Sequence, residues 1–396
     1  MKRVTVSYVM NVLNGEPFLS YQLASIYPYA HQIVIVEGAY RRFAHAATAD
    51  GHSVDRTREV LAAFPDPEQK LVVISRDGYW EDRCEMCNAF LPAVTGDVMW
   101  QVDTDEFYLP WVHERVVQWF AEDNALDRVS FRVREFFASP EYEVCGGIHA
   151  IGLGDVRRVH RFHPGVRWLT QRPPTLGNAT GVPQPIRRER LAEDTVREGM
   201  RLFHYTTLFR RQITDKFRYY RQMWANTEQD EQWLHETWDQ FTNPLRLHGA
   251  VVGASWIERY DGPWPLHVED MMRDVQTGMF SGLTVRGRED IERYLASAES
   301  PEDVAIAQAL NEAVCAVRTR HFFLAARPSV WVLWQCARHP FRRTYRFCAR
   351  RVAMLVVSPL IRMLRAGLQR LVLAIARPRR VPSHSQAEAA PFGMLR

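Results

Sequence analysis

Over its first hundred residues this chain alternates short apolar runs with segments whose apolar residues recur at helical spacing, and nothing else in the sequence restricts its fold as much. Val4-Thr5-Val6-Ser7 opens a strand expected over 3–9, and Asn14-Gly15 marks a turn. A helix carrying Leu19, Leu23 and Ile26 follows, then the apolar run Gln32-Ile33-Val34-Ile35-Val36. A polar loop over 39–53 leads to a helix at 55–63 and a buried strand at Leu71-Val72-Val73-Ile74. A helix over 81–95 ends near Gly96, and a strand over 98–102 runs directly into Asp103. Apolar runs of this length, bounded by polar residues, are buried strands. Their β-α-β-α-β-α-β order predicts an α/β fold with a mostly parallel sheet covered by helices on both faces.

Beyond residue 110 the pattern changes. A helix is expected over 111–122, and strands over 129–133, 142–151, 155–163 and 166–170. Residues 172–190, with Pro173, Pro174, Pro183 and Pro185, read as a loop. Helices are expected over 211–240, 267–279 and 301–320, with a Gly- and Pro-punctuated stretch over 243–265. At 396 residues with 46% hydrophobic and 24% charged residues, the chain has ample material for a core and is not a disordered polymer. Six scattered cysteines are not a disulfide framework, and the pair Cys84 and Cys87 has no second pair at zinc-ribbon spacing. The alternating N-terminus is not a signal-peptide core, so a cytoplasmic setting is expected.

Charge is unevenly placed. Residues 313–396 hold 16 Arg, no Lys and one acid, Glu388, giving +15; the whole chain is +4, so residues 1–312 sum to −11. Residues 328–378 read as basic amphipathic helices broken at Pro340 and Pro359. On one face stand Arg351, Arg362 and Arg365, and Leu355, Leu364, Leu368 and Leu371 cover most of the rest. That pattern suits a helix lying on an anionic membrane better than one crossing it. Arg interleaved with Leu and Val, without Lys, also fits a membrane surface better than a nucleic-acid backbone, so no nucleic-acid partner is expected. Residues 379–396 read as a disordered tail.

The chemistry is concentrated in Asp103-Thr104-Asp105-Glu106, at the C-terminal end of a buried strand, where open α/β sheets bind ligands. Two carboxylates one residue apart on a strand-to-loop bend can reach a common Mg²⁺ or Mn²⁺, hard ions that also bridge to phosphates. A bare D-x-D is usually a solvated turn. Here an apolar strand precedes it, Phe107-Tyr108 follows it, and it stands at the right place in the alternation.

Asn14-Gly15-Glu16, Ile33-Val34-Ile35-Val36-Glu37-Gly38-Ala39, Ser53-Val54-Asp55-Arg56-Thr57 and Trp100-Gln101-Val102-Asp103-Thr104-Asp105-Glu106-Phe107-Tyr108 occur in that order, followed by Phe203-His204-Tyr205 and Lys216-Phe217-Arg218-Tyr219-Tyr220. This ordered set, over roughly residues 3–225, resembles family-2-like glycosyltransferases of GT-A fold. The resemblance implies Mn²⁺ or Mg²⁺ held by Asp103, Asp105 and His204, with Asp105 the more direct ligand and Asp103 nearer the ribose. It implies a UDP- or GDP-sugar donor contacted by Asn14, Glu16, Glu37, Asp55, Arg83 and Asn88. Glu37 would face the nucleoside, the Ser53/Asp55 loop the base, and Arg83 the phosphates. The loop over 38–52, with Arg41, Arg42 and His45, is longer than the family's short turn. An inverting transferase also needs a general base for the acceptor hydroxyl. Glu193, Asp194, Glu269 and Asp270 are the candidates, and Glu269 and Asp270 join Asp103 and Asp105 as expected catalytic residues.

The expected organisation is a transferase domain over 1–245, a helical extension over 246–327, the membrane-associating helices and the tail. The expected activity is metal-dependent transfer of a sugar to a glycan or lipid-linked acceptor, by an enzyme lying on the inner face of the membrane. Two alternatives stay open: a nucleotidyltransferase of similar fold, against which the lack of an N-terminal Gly-rich phosphate loop argues, and a non-enzymatic nucleic-acid or membrane binder acting through the Arg-rich C-terminus.

Overall fold

In the first strand, β1 (Val6–Val12), Val6, Tyr8, Met10 and Val12 point to one face of a sheet and Val9 to the other, and all five are buried. A strand that is apolar on both faces must be covered on both. The computed structural model shows how, describing residues 4–146, 155–171, 174–215, 235–239 and 255–297, all within one compact unit. In chain order, β1 leads to α1 (Phe18–Ile26), β2 (Gln32–Glu37), α2 (Thr57–Ala63), β3 (Leu71–Ser75), α3 (Arg83–Phe90) and β4 (Val98–Gln101). The expected β-α-β-α-β-α-β order is therefore present. β1 begins and ends three residues later than the alternation suggests: Asn11 continues the strand because its side-chain amide donates to Cys87 Sγ (2.9 Å), giving a polar residue a partner within the packing.

The chain continues through β5 (Glu106–Phe107), α4 (Pro110–Glu122), β6 (Leu126–Phe131), β7 (Val133–Phe137), β8 (Tyr142–Gly146), β9 (Val156–Arg161) and β10 (Arg167–Gln171). Then come β11 (Pro174–Gly177), β12 (Arg188–Arg190), α5 (Ala192–Arg197), β13 (Leu202–Thr207), β14 (Ser255–Arg259), α6 (Val268–Gln276) and α7 (Arg288–Ser297). The central sheet runs β12-β6-β9-β4-β1-β2-β3. Its pairs β4-β1, β1-β2, β2-β3 and β12-β6 are parallel, and only β9 runs against its two neighbours. The protein is thus mixed α/β with a largely parallel sheet.

Helices α1, α2 and α4 cover one face, burying Leu19, Leu23, Leu61, Val112, Val116 and Trp119 against Tyr8, Met10, Ile33, Ile35 and Trp100. On the other face α3 packs Met86, Cys87 and Phe90 against Val9, Val34, Val36 and Met99, joined by Trp168 of the β10-β11 hairpin. A second sheet, β14-β8-β7-β13-β5, carries Phe107, Phe136, Phe203 and Tyr205 into a cluster with Phe18 of α1 and Val268, Met271 and Met272 of α6.

Four expectations need correction. β3, expected to be buried, is an edge strand of the central sheet with Val73 exposed. Residues 172–190 are not all loop: they contain β11 and β12, and Pro174 is tolerated as the first residue of a strand in a two-stranded sheet. Residues 255–259, read as part of a punctuated stretch, form β14 on the edge of the second sheet. The single strand expected over 129–133 is two, β6 and β7, with Arg132 between them. The helices expected over 301–320 and 328–378, the tail over 379–396 and most of 216–254 lie outside the described residues. Among the described residues no helix is long and apolar enough to cross a membrane.

Candidate active site

β4 is wholly buried, and its last hydrogen bond into the sheet, from Val102 N to Val9 O (3.0 Å), delivers the chain at the carboxyl ends of the parallel strands. There the chain turns. Glu106 N donates to Asp103 O (3.1 Å) while Asp103 N donates to Glu106 Oε2 (3.1 Å), so the Asp103–Glu106 bend is closed from both sides. Gln22 of α1, fully buried, donates to Glu106 O (2.5 Å) and ties the bend to the helix layer. β5 then pairs antiparallel with β13, placing His204 opposite Glu106, and Tyr205 N donates to Asp105 O (2.9 Å). About a hundred residues apart in sequence, Asp105 and His204 thereby meet, with His204 Nε2 at 3.5 Å from Asp105 Oδ2 and both side chains about one-fifth exposed.

The two carboxylates of the motif have different surroundings. Asp103 is held by two guanidiniums: Arg83 Nη2 lies 3.2 Å from Oδ1 and Arg158 Nη2 lies 2.8 Å from Oδ2. Burial pushes its carboxyl up, but Arg158 and Arg83 outweigh it and hold the group well below the usual carboxylate range. Arg158 of β9 also donates to Glu106. Burial raises the Glu106 carboxyl, Arg158 opposes this, and the neighbouring Asp103 adds to the rise. Three carboxylates around two guanidiniums leave this end of the sheet with spare negative charge, next to an imidazole.

The other residues expected to contact a nucleotide mostly organise the loops. Asn14, in the left-handed region at φ 53°, donates from its side chain to Ala46 O (2.7 Å) and accepts from Val54 N (2.8 Å). Glu16 N donates to Asp55 Oδ2 (3.0 Å), and Asp55 Oδ1 accepts from Thr57 N and Thr57 Oγ1. These contacts bind the β1–α1 loop to the β2–α2 loop at the same end of the sheet. Glu37, 1% exposed, accepts from His52 Nδ1 (2.8 Å), Ser53 N (2.9 Å) and Ser75 Oγ (2.9 Å). Burial alone would raise its carboxyl, but these donors lower it. Its oxygens are thus turned onto the β2–α2 loop and the end of β3.

Arg83 opens α3 beside its N-cap Asp82 and points at Asp103. Asn88, one turn on, is committed elsewhere: it donates to Trp168 O (3.1 Å) and accepts from Trp168 N (2.8 Å), mimicking a neighbouring strand for β10. Glu269 and Asp270 lie on the first turn of α6, where Arg273 sits 3.7 Å and 2.9 Å from them. Glu193 pairs with Arg132 (3.1 Å), and Asp194 caps α5 by accepting from Leu191 N (2.9 Å). The structure therefore brings together Asp103, Asp105, His204 and Arg83. It adds Arg158, which sequence reasoning missed. The signal was an Arg within Val156-Arg157-Arg158-Val159-His160, at a position of an interior strand that is 8% exposed.

The Asp105–His204 pair fits a divalent ion. With ligand bonds of about 2.0–2.2 Å, adjacent donors on one ion stand roughly 3.0–3.5 Å apart. One oxygen and one imidazole nitrogen at 3.5 Å meet that condition, whereas Asp103 has both oxygens occupied by arginines.

No family model matches the chain, and no curated protein does either. Among solved structures, S. aureus TarS in complex with UDP-GlcNAc is similar at 15% identity, over 33% of this chain and 35% of that one, with a TM-score of 0.27. Glucosyl-3-phosphoglycerate synthase from Mycobacterium tuberculosis, with Mn²⁺, UDP-glucose and phosphoglyceric acid, is similar at 18% identity, over 34% of this chain and 44% of that one, with a TM-score of 0.24. The chain spans less than half the length of either. A likeness of that extent says nothing about the chemistry of this site.

Proposed function

We propose that the chain is a metal-dependent glycosyltransferase of GT-A type that takes its sugar from a UDP- or GDP-sugar. The observation that carries this is the meeting of Asp105 and His204 at 3.5 Å, at the carboxyl end of β4, beside an Asp103 held by two arginines. A bound Mn²⁺ or Mg²⁺ would neutralise the departing diphosphate, so that the sugar's bond breaks without protonation of the leaving oxygen. Asp105 and His204 would hold that ion. Asp103 fixes Arg83 at the mouth of the site, where its guanidinium can reach a phosphate. Arg158, buried behind them, donates to both Asp103 and Glu106 and offsets the repulsion that would push the two carboxylates apart. Asn14, Glu16, Asp55 and Glu37 shape the loops on which a nucleoside would rest.

In this reading residues 1–245 are the transferase domain, 246–327 its helical extension, and 328–378 dock it on anionic lipid at the inner face of the membrane. The acceptor is a glycan or a lipid-linked sugar. Glu269 and Asp270 are the proposed sources of the general base. The test is a screen for nucleotide-sugar hydrolysis or transfer, with and without Mn²⁺, on wild type and Asp105→Ala. The reading expects Mn²⁺-dependent turnover that the variant loses. Equal, metal-independent turnover in both proteins would overturn it.

A further inference from the structure

Away from Asp105, the ends of β2 and β3 carry a second group of ligand-bearing side chains. His52 is 3% exposed, and its Nδ1 donates to the buried carboxylate of Glu37 at 2.8 Å. That bond fixes the ring and leaves Nε2 facing outward. Asp77 Oδ1 stands 3.1 Å from Nε2, and one ligand atom from each of Asp50, His52 and Asp77 lies within 4.8 Å of the other two. A carboxylate behind the distal nitrogen of an imidazole is the arrangement that orients metal-bound histidines and makes the facing nitrogen more basic. With Nδ1 the donor, Nε2 faces the Asp77 carboxylate at 3.1 Å with the Asp50 carboxylate close by, a position that either a proton on Nε2 or a metal cation can fill. A proton on Nε2 serves one carboxylate. An ion serves both.

The backbone holds the two aspartates in place. Asp50 precedes Gly51 (φ 86°) and Asp77 precedes Gly78 (φ 89°), both in the left-handed region that favours glycine. Gly78 N donates to Asp50 O (2.8 Å), and a Cβ on Gly51 would stand 2.4 Å from Gly78 O. The β2–α2 and β3–α3 loops are thus in backbone contact where the aspartates project.

We propose that Asp50, His52 and Asp77 bind a first-row divalent ion, Zn²⁺ best, which ties the two loops together. One imidazole nitrogen and two carboxylate oxygens suit that ion. Asp77, its side chain 92% exposed, leaves the outer side for water as the fourth ligand. The site is separate from the Asp105–His204 pair and does not depend on the chain being a transferase.

The test uses the full chain carrying Asp105→Ala, which removes the other ion, stripped of metal and titrated with Zn²⁺ alone against a chelating indicator. One equivalent should bind, Co²⁺ should replace it with a visible d–d absorption, and Asp50→Asn or Asp77→Asn should each weaken binding at least tenfold. Both variants change exposed side chains, so folding is retained and can be checked by circular dichroism. Absence of stoichiometric binding, or affinities of both variants within twofold of the parent, would overturn the proposal. So would ¹⁵N chemical shifts showing His52 protonated on both nitrogens at neutral pH with Zn²⁺ present, since a proton would then occupy the position assigned to the ion.

Discussion

Replacing Arg158 with Met keeps most of the side-chain volume and removes the charge that holds Asp103 and Glu106 in place. Arg158 is 8% exposed, and both of its carboxylate partners lie at the same buried bend. Removing one partner of a buried ion pair costs about 3–5 kcal/mol, because the remaining charge is left without compensation. Arg83 stays on Asp103, so the larger burden falls on Glu106, which is 1% exposed and whose carboxyl burial already raises. A carboxyl with a raised folded pKa binds its proton more tightly folded than unfolded, so its penalty grows as pH rises through the folded value. It vanishes below the unfolded value of about 4.3. Arg158→Met removes the opposing guanidinium and raises Glu106 further. Relative to wild type, the variant should melt about 6–15 °C lower at pH 8, at roughly 2–3 °C per kcal/mol for a unit of this size, and by clearly less at pH 5. Adding Glu106→Gln should restore part of the loss at pH 8. Thermal melts followed by circular dichroism at pH 5, 6, 7 and 8 measure this. A deficit that is constant with pH, or larger at pH 5, would refute the electrostatic account of the bend.

Asn88→Ala should cost about 1–2 kcal/mol in urea unfolding, because Trp168 loses both backbone partners on α3, while Mn²⁺ binding stays as in wild type. Gly51→Ala should be among the more damaging changes in the loops, lowering stability by about 2 kcal/mol or more, since its φ of 86° and the 2.4 Å approach to Gly78 O both exclude a side chain; a neutral melt would contradict the loop packing. Glu37→Gln should cost about 2 kcal/mol at pH 7 by weakening the bonds from His52, Ser53 N and Ser75. Because the folded Glu37 carboxyl lies below its unfolded value, that stabilisation is present above about pH 4.3 and is lost as pH falls through the folded pKa, so wild type and variant should converge in acid.

The alternation of apolar runs brings most of the central sheet into view, because β2 and β4, buried on both faces, carry polar residues only at their ends. Asp103 and Asp105 were legible for the same reason: they end the run Val98–Val102, and a charged bend after a buried strand has few places to go. His204 was reached only through the ordered resemblance, and its partner in space is set by β5-β13 pairing, which spacing in sequence does not encode. Arg158 was hidden because its neighbours Arg157 and Arg161 are also basic. Only the antiparallel register of β9 on β4 shows which of them turns to Asp103. Asn88 was placed on the correct helix, but its amide faces the β10 backbone, a contact between segments 80 residues apart.

The central claim is that Asp105 and His204 together hold the ion that a nucleotide diphosphate requires. Electron paramagnetic resonance of Mn²⁺ titrated into the full 396-residue chain, with and without UDP or GDP, tests this on wild type, Asp105→Ala and His204→Ala. Wild type should bind one Mn²⁺ that one of the two nucleotides tightens, and each variant should weaken that nucleotide-coupled ion at least tenfold, leaving any ion at Asp50, His52 and Asp77 unchanged. Mn²⁺ and nucleotide binding that neither substitution changes would contradict it.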